Sequence, residues 1–234
     1  MSQITMKEGL EHMIRNIIDK HGFLRDICNW NSHRILIGLA VEETKGSSHP
    51  ILELGMSQES TPALHDYCEK EGRLLLSYEE NILQAAPYVN LASPRHEIRC
   101  VSWDAAPIEN GTYSVAVLDH APGERRWADA MRLLHRCEIL VLHDTEPAAE
   151  QGYGWPRIWP EFRFRVDVKS DGAWSTALSN SRELTRWRGL RHGPYVVSGT
   201  EDDLREDPVA MAIERALYPE VDPDPRAEAV RVDR

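Results

Sequence analysis

The alternation of apolar and polar positions divides the chain into an ordered series of short elements. Over residues 5–20, Met6, Leu10, Met13, Ile14, Ile17 and Ile18 recur at helical spacing with charges between them, which predicts an amphipathic helix ended by His21-Gly22. A second helix is expected over 31–44, with Ile35, Leu36, Leu39 and Ala40 on one side. A short apolar run, Ile51, Leu52 and Leu54, then stops at Gly55, and beyond a polar turn Ser60-Thr61-Pro62 opens a helix carrying Leu64, Tyr67 and Cys68. Ser60 or Thr61 can cap that helix, and Pro62 suits its first turn, where a missing N–H costs nothing. Strand, turn and helix in this order put a helix start at the carboxyl end of a strand. In doubly wound sheets that junction holds nucleotide-like ligands, because free N–H groups and the positive helix end point into the crevice.

The pattern continues along the chain. Residues 73–79 read as a second strand after Gly72, 96–101 as a third, and 112–118 as a central strand, apolar over most of its length as strands covered on both faces are. A helix over 127–136 and a strand over 138–142 follow. Residues 162–168 alternate, Ser170-Asp171-Gly172 turns, and 174–179 returns antiparallel. A short strand at 194–199, a helix at 208–217 and a Pro-rich, charged, mobile tail from Pro219 complete the reading. The organisation expected is an N-terminal helical segment over 1–49 that roofs the crevice, an α/β core over 50–185 and a C-terminal extension over 186–234.

Composition changes this picture in three ways. A net charge of -11 disfavours a nucleic-acid backbone as the main partner, since affinity there rests on neutralising phosphates. No apolar run approaches the ~20 residues of a membrane span and no signal peptide is visible, so a soluble protein is expected. Cys28, Cys68, Cys100 and Cys137 lack paired spacing, which reads as reduced thiols in a cytoplasm.

The chemistry concentrates at strand ends. Glu53, two residues before Gly55, would repel a pyrophosphate but suits a ligand with an ammonium or sulfonium charge. Glu79 closes the second strand, where a doubly wound fold places the carboxylate that accepts from ribose hydroxyls. Asp119-His120 and His143-Asp144-x-Glu146 end strands that would lie side by side. Three uses follow: a general base near neutral pKa, a divalent cation held by Asp119, Asp144 and Glu146, or carboxylates that only cap helices and pair with Arg125 and Arg126. Trp30 and His33 are candidates to face an acceptor, or else pack in the core. The loop over 148–160 is a candidate acceptor lid walled by Tyr153, Trp155 and Trp159.

Glu53, Gly55 and Ser60, with Met56 and Ser57 between, resemble the first motif of the class I S-adenosylmethionine-dependent methyltransferases, Glu/Asp-x-Gly-x-Gly-x-Ser; Ser57 and Glu59 stand where many members have glycine. The stretch D-H-A-P-G-E-R-R and the following H-D-T-E resemble a pair of motifs in uncharacterised methyltransferase-like proteins, and the likeness in order spans about 51–180. The resemblance implies an α/β, three-layer Rossmann-like sandwich with a seven-stranded, mostly parallel sheet and one antiparallel strand near the edge. It implies S-adenosylmethionine as cofactor, with Glu53, Gly55, Met56, Ser57 and Ser60 at its methionine end, Glu79 at the ribose, and Trp103 with Asp104 at the adenine. His120, with Asp119 and His143, is the expected catalytic group, acting on an oxygen or nitrogen of a small-molecule acceptor. No metal is expected, since Asp144 lacks the adjacent Asn of metal-dependent catechol methyltransferases. A homodimer is compatible with the aromatic loop and the tail. The alternatives are an enzyme of the same fold that cyclises or cleaves the cofactor, a nicotinamide-dependent oxidoreductase disfavoured by Glu53 and the hairpin, and a non-catalytic binding or scaffolding subunit with a degenerate pocket.

Overall fold

The computed structural model describes residues 32–169, 172–192 and 195–198. The helices expected over 5–20 and 208–217, Trp30 and the tail from Pro219 lie outside the described residues. The first described element, helix α1 (Ser32–Glu43), is buried from Ser32 through Val41. Its apolar positions run round the whole helix because it forms part of a core layer.

The sheet contains β1 (Ile51–Leu54), β2 (Leu75–Glu79), β3 (His96–Cys100), β4 (Tyr113–Leu118), β5 (Cys137–His143), β6 (Phe164–Lys169), β7 (Ser175–Ser179), β8 (Arg191–His192) and β9 (Tyr195–Ser198). Their order is β3-β2-β1-β4-β5-β7-β6-β9-β8. Strands β1 to β5 pair in parallel, and β7 inserts antiparallel between β5 and β6. The seven strands expected in the core are present, with the antiparallel one where the hairpin at Gly172 implies it, and the short strand expected over 194–199 is β9. The short β8–β9 hairpin extends the sheet past β6, so among the described residues it has nine strands. Between the strands run α2 (Thr61–Glu71), α3 (Ile82–Ala85), α4 (Arg126–Leu133) and α5 (Pro147–Glu150). Helix α2 carries Pro62 in its first turn and ends on Gly72 at φ 72°, a left-handed cap that costs glycine little.

Period-two alternation sorts the strand side chains into two cores. Ile51, Leu75, Val115, Val117, Ile139 and Val141 pack with α1 and with Ala63, Leu64, Tyr67 and Cys68 of α2. Leu52, Leu54, Ala116, Leu118, Leu140 and Leu142 face the other way, onto Trp103, Trp155 and the α4 residues Ala130 and Leu133. Full burial of each such aliphatic side chain contributes about 1.5–3 kcal/mol, so these two layers hold the sheet. The alternation also fixes the chemistry, because it continues to the strand ends. Glu53 and Ser77 fall on the α2 side with the odd-numbered residues of their strands, as does His143 on the α1 side.

At the end of β1 the chain bends at Gly55, with φ 93°. A Cβ there would lie 2.5 Å from His120 N and 2.6 Å from the Asp119 carbonyl carbon and oxygen, so only glycine permits the approach. β1 has β2 on one side and β4 on the other, so the strand order reverses here. Doubly wound sheets bind their ligands at such a reversal, outside the carboxyl ends of the strands.

Candidate functional site

Glu53 is fully buried and holds the β1 turn to the start of α2. Ser60 Oγ donates to its Oε1 at 2.6 Å, Thr61 Oγ1 to the same oxygen at 3.0 Å, and Ser77 Oγ to Oε2 at 2.6 Å. Ser60 is the N-cap residue of α2, yet its side chain makes no cap hydrogen bond, because the hydroxyl is spent on Glu53. Burial pushes the Glu53 carboxyl up to about 7, and the three hydroxyls only partly offset that. Thr61 Oγ1 also accepts from Ser57 N at 3.0 Å, and the Ser57 and Ser60 hydroxyls lie 3.0 Å apart. Glu79, also buried, closes the other side of the turn. Its Oε2 accepts from Met56 N at 3.1 Å and its Oε1 from Asn81 N at 2.8 Å. Glu53, Gly55, Met56, Ser57, Ser60 and Glu79 thus form one continuous hydrogen-bonded turn.

The second group of residues lies at the ends of β4 and β5. His143 Nδ1 is 3.0 Å from Asp119 Oδ1 and 3.2 Å from Asp144 Oδ1. Arg126, at the start of α4, binds the cluster together. It donates to Asp119 Oδ1 at 3.2 Å, to Asp144 Oδ2 at 2.8 Å and to the carbonyls of His120 and His143 at 2.6 and 3.0 Å. Burial works against a charged His143, but Asp119 and then Asp144 outweigh it and raise its pKa. Burial likewise opposes the Asp119 carboxylate, and His143 overcomes it, holding Asp119 well below the usual carboxylate range. Asp144 sits at φ 58°, uncommon for a residue with a Cβ, with its carbonyl accepting from Trp155 Nε1 at 2.8 Å. His33 of α1 meets the His143 ring edge-on, centroids 4.5 Å apart. It is buried, neither of its nitrogens has a hydrogen-bond partner among the described residues, and burial followed by the neighbouring His143 pushes it down to about 3.

Sequence neighbours Asp119 and His120 are separated by the sheet. His120 continues the even-numbered side of β4 and is buried under Trp103, ring centroids 4.5 Å apart. Its Nε2 lies 3.1 Å from Asp129 Oδ2 of α4, without the alignment of a hydrogen bond. The expectation that His120 works beside Asp119 and His143 is therefore corrected: only Asp119 and His143 come together. Trp103 is a core residue whose Nε1 donates to the Ala121 carbonyl at 2.8 Å. The Asp104 side chain is 88% exposed and pairs with Arg125 at 2.6 Å. These are the partners that the structure gives the two residues expected at the adenine. Trp155 is fully buried and anchors the 148–160 loop in the core instead of walling a lid.

Asp119, His143 and Asp144 place donor atoms within 4.8 Å of one another, a spacing compatible with a cation. Arg126 already supplies positive charge to both carboxylates, and Glu146 is turned away, its Oε2 accepting from Trp174 N at 3.0 Å. Sequence reasoning missed Asp129, a buried carboxylate bound by Arg125 at 2.8 Å and Arg132 at 2.7 Å. The spacing Arg125, Asp129, Arg132 along a helix, four residues and then three, was the available signal. It also missed Ser77 and His96, whose signal was a polar residue inside or at the start of an otherwise ordinary strand.

No family model and no curated protein matches the chain. Solved structures do. A Klebsiella pneumoniae protein provisionally assigned as an O-methyltransferase matches at TM-score 0.50 and 13% identity, over 76% of this chain and 93% of its own. Cofactor-bound Rv0187 from MTB matches at TM-score 0.50 and 14% identity, over 77% and 94%. The METTL16 MTase domain matches at TM-score 0.49 and 10% identity, over 78% and 84%. At these identities the first two likenesses establish the fold alone, a Rossmann-like α/β sandwich.

Proposed function

We propose that this chain binds S-adenosylmethionine at the reversal between β1 and β4 and transfers its methyl group to an oxygen or nitrogen of a small-molecule acceptor, as a cytoplasmic enzyme. The observation that carries the reading is the charge of that edge: Glu53, Glu79, Asp119 and Asp144 surround the turn and the neighbouring strand ends, with Arg126 as the cation paired among them. Such an edge repels a pyrophosphate and favours a ligand carrying sulfonium and ammonium groups. The donor set also fits the cofactor. Glu79 spends one lone pair of each oxygen on Met56 and Asn81, and an ionised carboxylate has about four, so acceptors remain for ribose hydroxyls. Glu53, Gly55, Met56, Ser57 and Ser60 would hold the methionine end. Trp103 and Asp104 take no part in this reading.

When bound, the cofactor supplies an electrophilic methyl group. The chain's own residues align the acceptor and remove its proton. Asp119 accepts from the His143 Nδ1–H and raises the affinity of that ring for a proton. Arg126 fixes Asp119 in turn. His143 replaces His120 as the base because His120 is locked on the opposite face of the sheet. A small acceptor is favoured over nucleic acid by the same acidic edge and by the net charge of -11.

Calorimetry with S-adenosylhomocysteine tests the binding, and incubation with methyl-labelled S-adenosylmethionine plus a small-molecule extract tests the transfer. Binding together with label in a small product supports the reading. Methylthioadenosine formed without an acceptor replaces it with cofactor cleavage, and absence of both binding and transfer overturns it in favour of a non-catalytic subunit.

A further inference from the structure

Glu53 is the inner end of a longer chain of polar groups. Ser77 Oγ, which donates to Glu53 Oε2 at 2.6 Å, lies 2.9 Å from His96 Nε2, and His96 Nδ1 lies 3.2 Å from His65 Nδ1. Strand register explains the line. Glu53 pairs with Ser77 across β1 and β2, and Ser77 pairs with Ile98 across β2 and β3, so His96, two residues before Ile98, stands on the same face. Helix α2 covers that face and contributes His65, which is partly exposed, whereas Glu53, Ser77 and His96 are buried. Apolar residues would fill these positions at less cost than a buried polar chain.

The hydrogens can run in only one direction when Glu53 is ionised. Ser77 has one proton and gives it to Glu53, so His96 must donate Nε2–H to Ser77 and accept at Nδ1 from His65. His96 is neutral in this arrangement, as its burial, with His65 beside it, requires by pushing it down to about 4.

We propose that His96 and Ser77 are positioning residues for the turn at Gly55: by aiming a hydroxyl at Glu53 they keep it ionised, and so strengthen the hold of the turn on a cationic ligand relative to a neutral one. This rests on the cofactor reading above, since the sulfonium cofactor carries one more positive charge than its thioether product. The titratable groups facing Glu53 are Asp119 from β4, Cys68 from α2 and Tyr88 from the turn after α3, and none of them is a cation. Those facing His96 are His65 and Glu69 of α2. No cation among these groups can stand in for the relay.

The test compares wild type, His96→Leu, His96→Gln and Ser77→Ala by two readouts. In the unliganded protein, the infrared carbonyl band that Glu53→Gln removes reports the titration of Glu53. In the wild type that band is expected to titrate near neutrality. His96→Leu and Ser77→Ala move it to higher pH by about one unit, the size of one lost hydrogen bond to a charged group, and His96→Gln, which keeps an N–H donor, moves it back toward wild type. Calorimetry with S-adenosylmethionine and S-adenosylhomocysteine then gives a ratio of affinities, expected to fall about tenfold in His96→Leu near neutral pH and to recover in His96→Gln. A Glu53 band that titrates at the same pH in all four proteins overturns the proposal. So does an equal loss of both ligands without a pH shift, which is the signature of a merely structural His96. If neither ligand binds wild type, the cofactor reading fails, and with it the ligand half of this proposal, while the infrared band still decides whether His96 sets the charge of Glu53.

Discussion

Two His–Asp pairs stand on opposite sides of the same strand end, and they are built for different purposes. Asp119 and His143 meet at 3.0 Å with side chains 15% and 9% exposed, joined to one guanidinium and to the His33 ring. His120 and Asp129 meet at 3.1 Å with side chains 0% and 1% exposed, under an indole, with Arg125 and Arg132 both bound to the carboxylate. In the second pair Asp129 is also bound by two permanent cations, and His120 is packed under the indole. In the first pair the imidazole is itself the acid's close partner, so its proton and the acid's charge depend on each other. A neighbouring strand supplies the partner in the first pair and helix α4 in the second, and the alternation of β4 decides which side each takes.

The sharpest way to break this comparison is Asp119→Asn. It removes the charge that raises His143, and turnover is expected to fall at least about 100-fold, within the range for loss of general-base function, with the acid limb of the pH profile moving to lower pH. Steady-state rates across pH check this, and an unshifted profile would break the assignment of His143 as base. Next in size, Asp129→Asn leaves Arg125 and Arg132 without their buried acid and is expected to cost about 3–5 kcal/mol in urea unfolding, with the rate per folded molecule changed only severalfold. Burial opposes the Asp129 charge, and the His120, Arg125 and Arg132 contacts override it, holding the folded pKa at about 2. Its contribution is thus present above the ordinary value of 3.8 and is lost as pH falls toward 2, and the variant should lose that acid dependence.

Glu53 has the opposite sign. Its pKa is about 7 folded against 4.5 ordinarily, so it is protonated in both states below 4.5 and ionised in both above 7. Stability is therefore expected to decline by about 3 kcal/mol as pH rises through that window, and Glu53→Gln should flatten the decline. Denaturant melts across the window decide it. The smallest effect belongs to His120→Phe, which keeps a flat ring against Trp103 and is expected to change stability by about 1 kcal/mol and turnover by less than threefold. A large loss of turnover there, with stability intact, would restore His120 to the chemistry.

The strands and the antiparallel hairpin were legible because buried parallel strands and an alternating hairpin leave different patterns, and because Gly172 lies between the antiparallel pair. The β8 segment was not legible, since two residues, Arg191 and His192, carry no periodicity. Asp119, His143 and Glu79 were found as acids and imidazoles at strand ends. Which face each side chain takes was lost at His120, where the alternation of β4 was not carried two residues past Leu118. Arg126 was read as a partner of the strand-end carboxylates, whereas Asp129 escaped because a helix read for its apolar side says little about charges that point back toward a sheet edge. Ser77 was hidden inside an apolar run whose single hydroxyl looked incidental.

The contact between Gly55 and the Asp119–His120 backbone locks two bends of the sheet edge into one unit. Any larger residue at position 55 must push them apart, displacing the turn held by Glu53 and Glu79 and the Asp119–His143 pair in one stroke. Random variation at this position should return misassembled clones almost without exception, so tolerated diversity has to be sought elsewhere, in the aromatic stretch that follows Asp144.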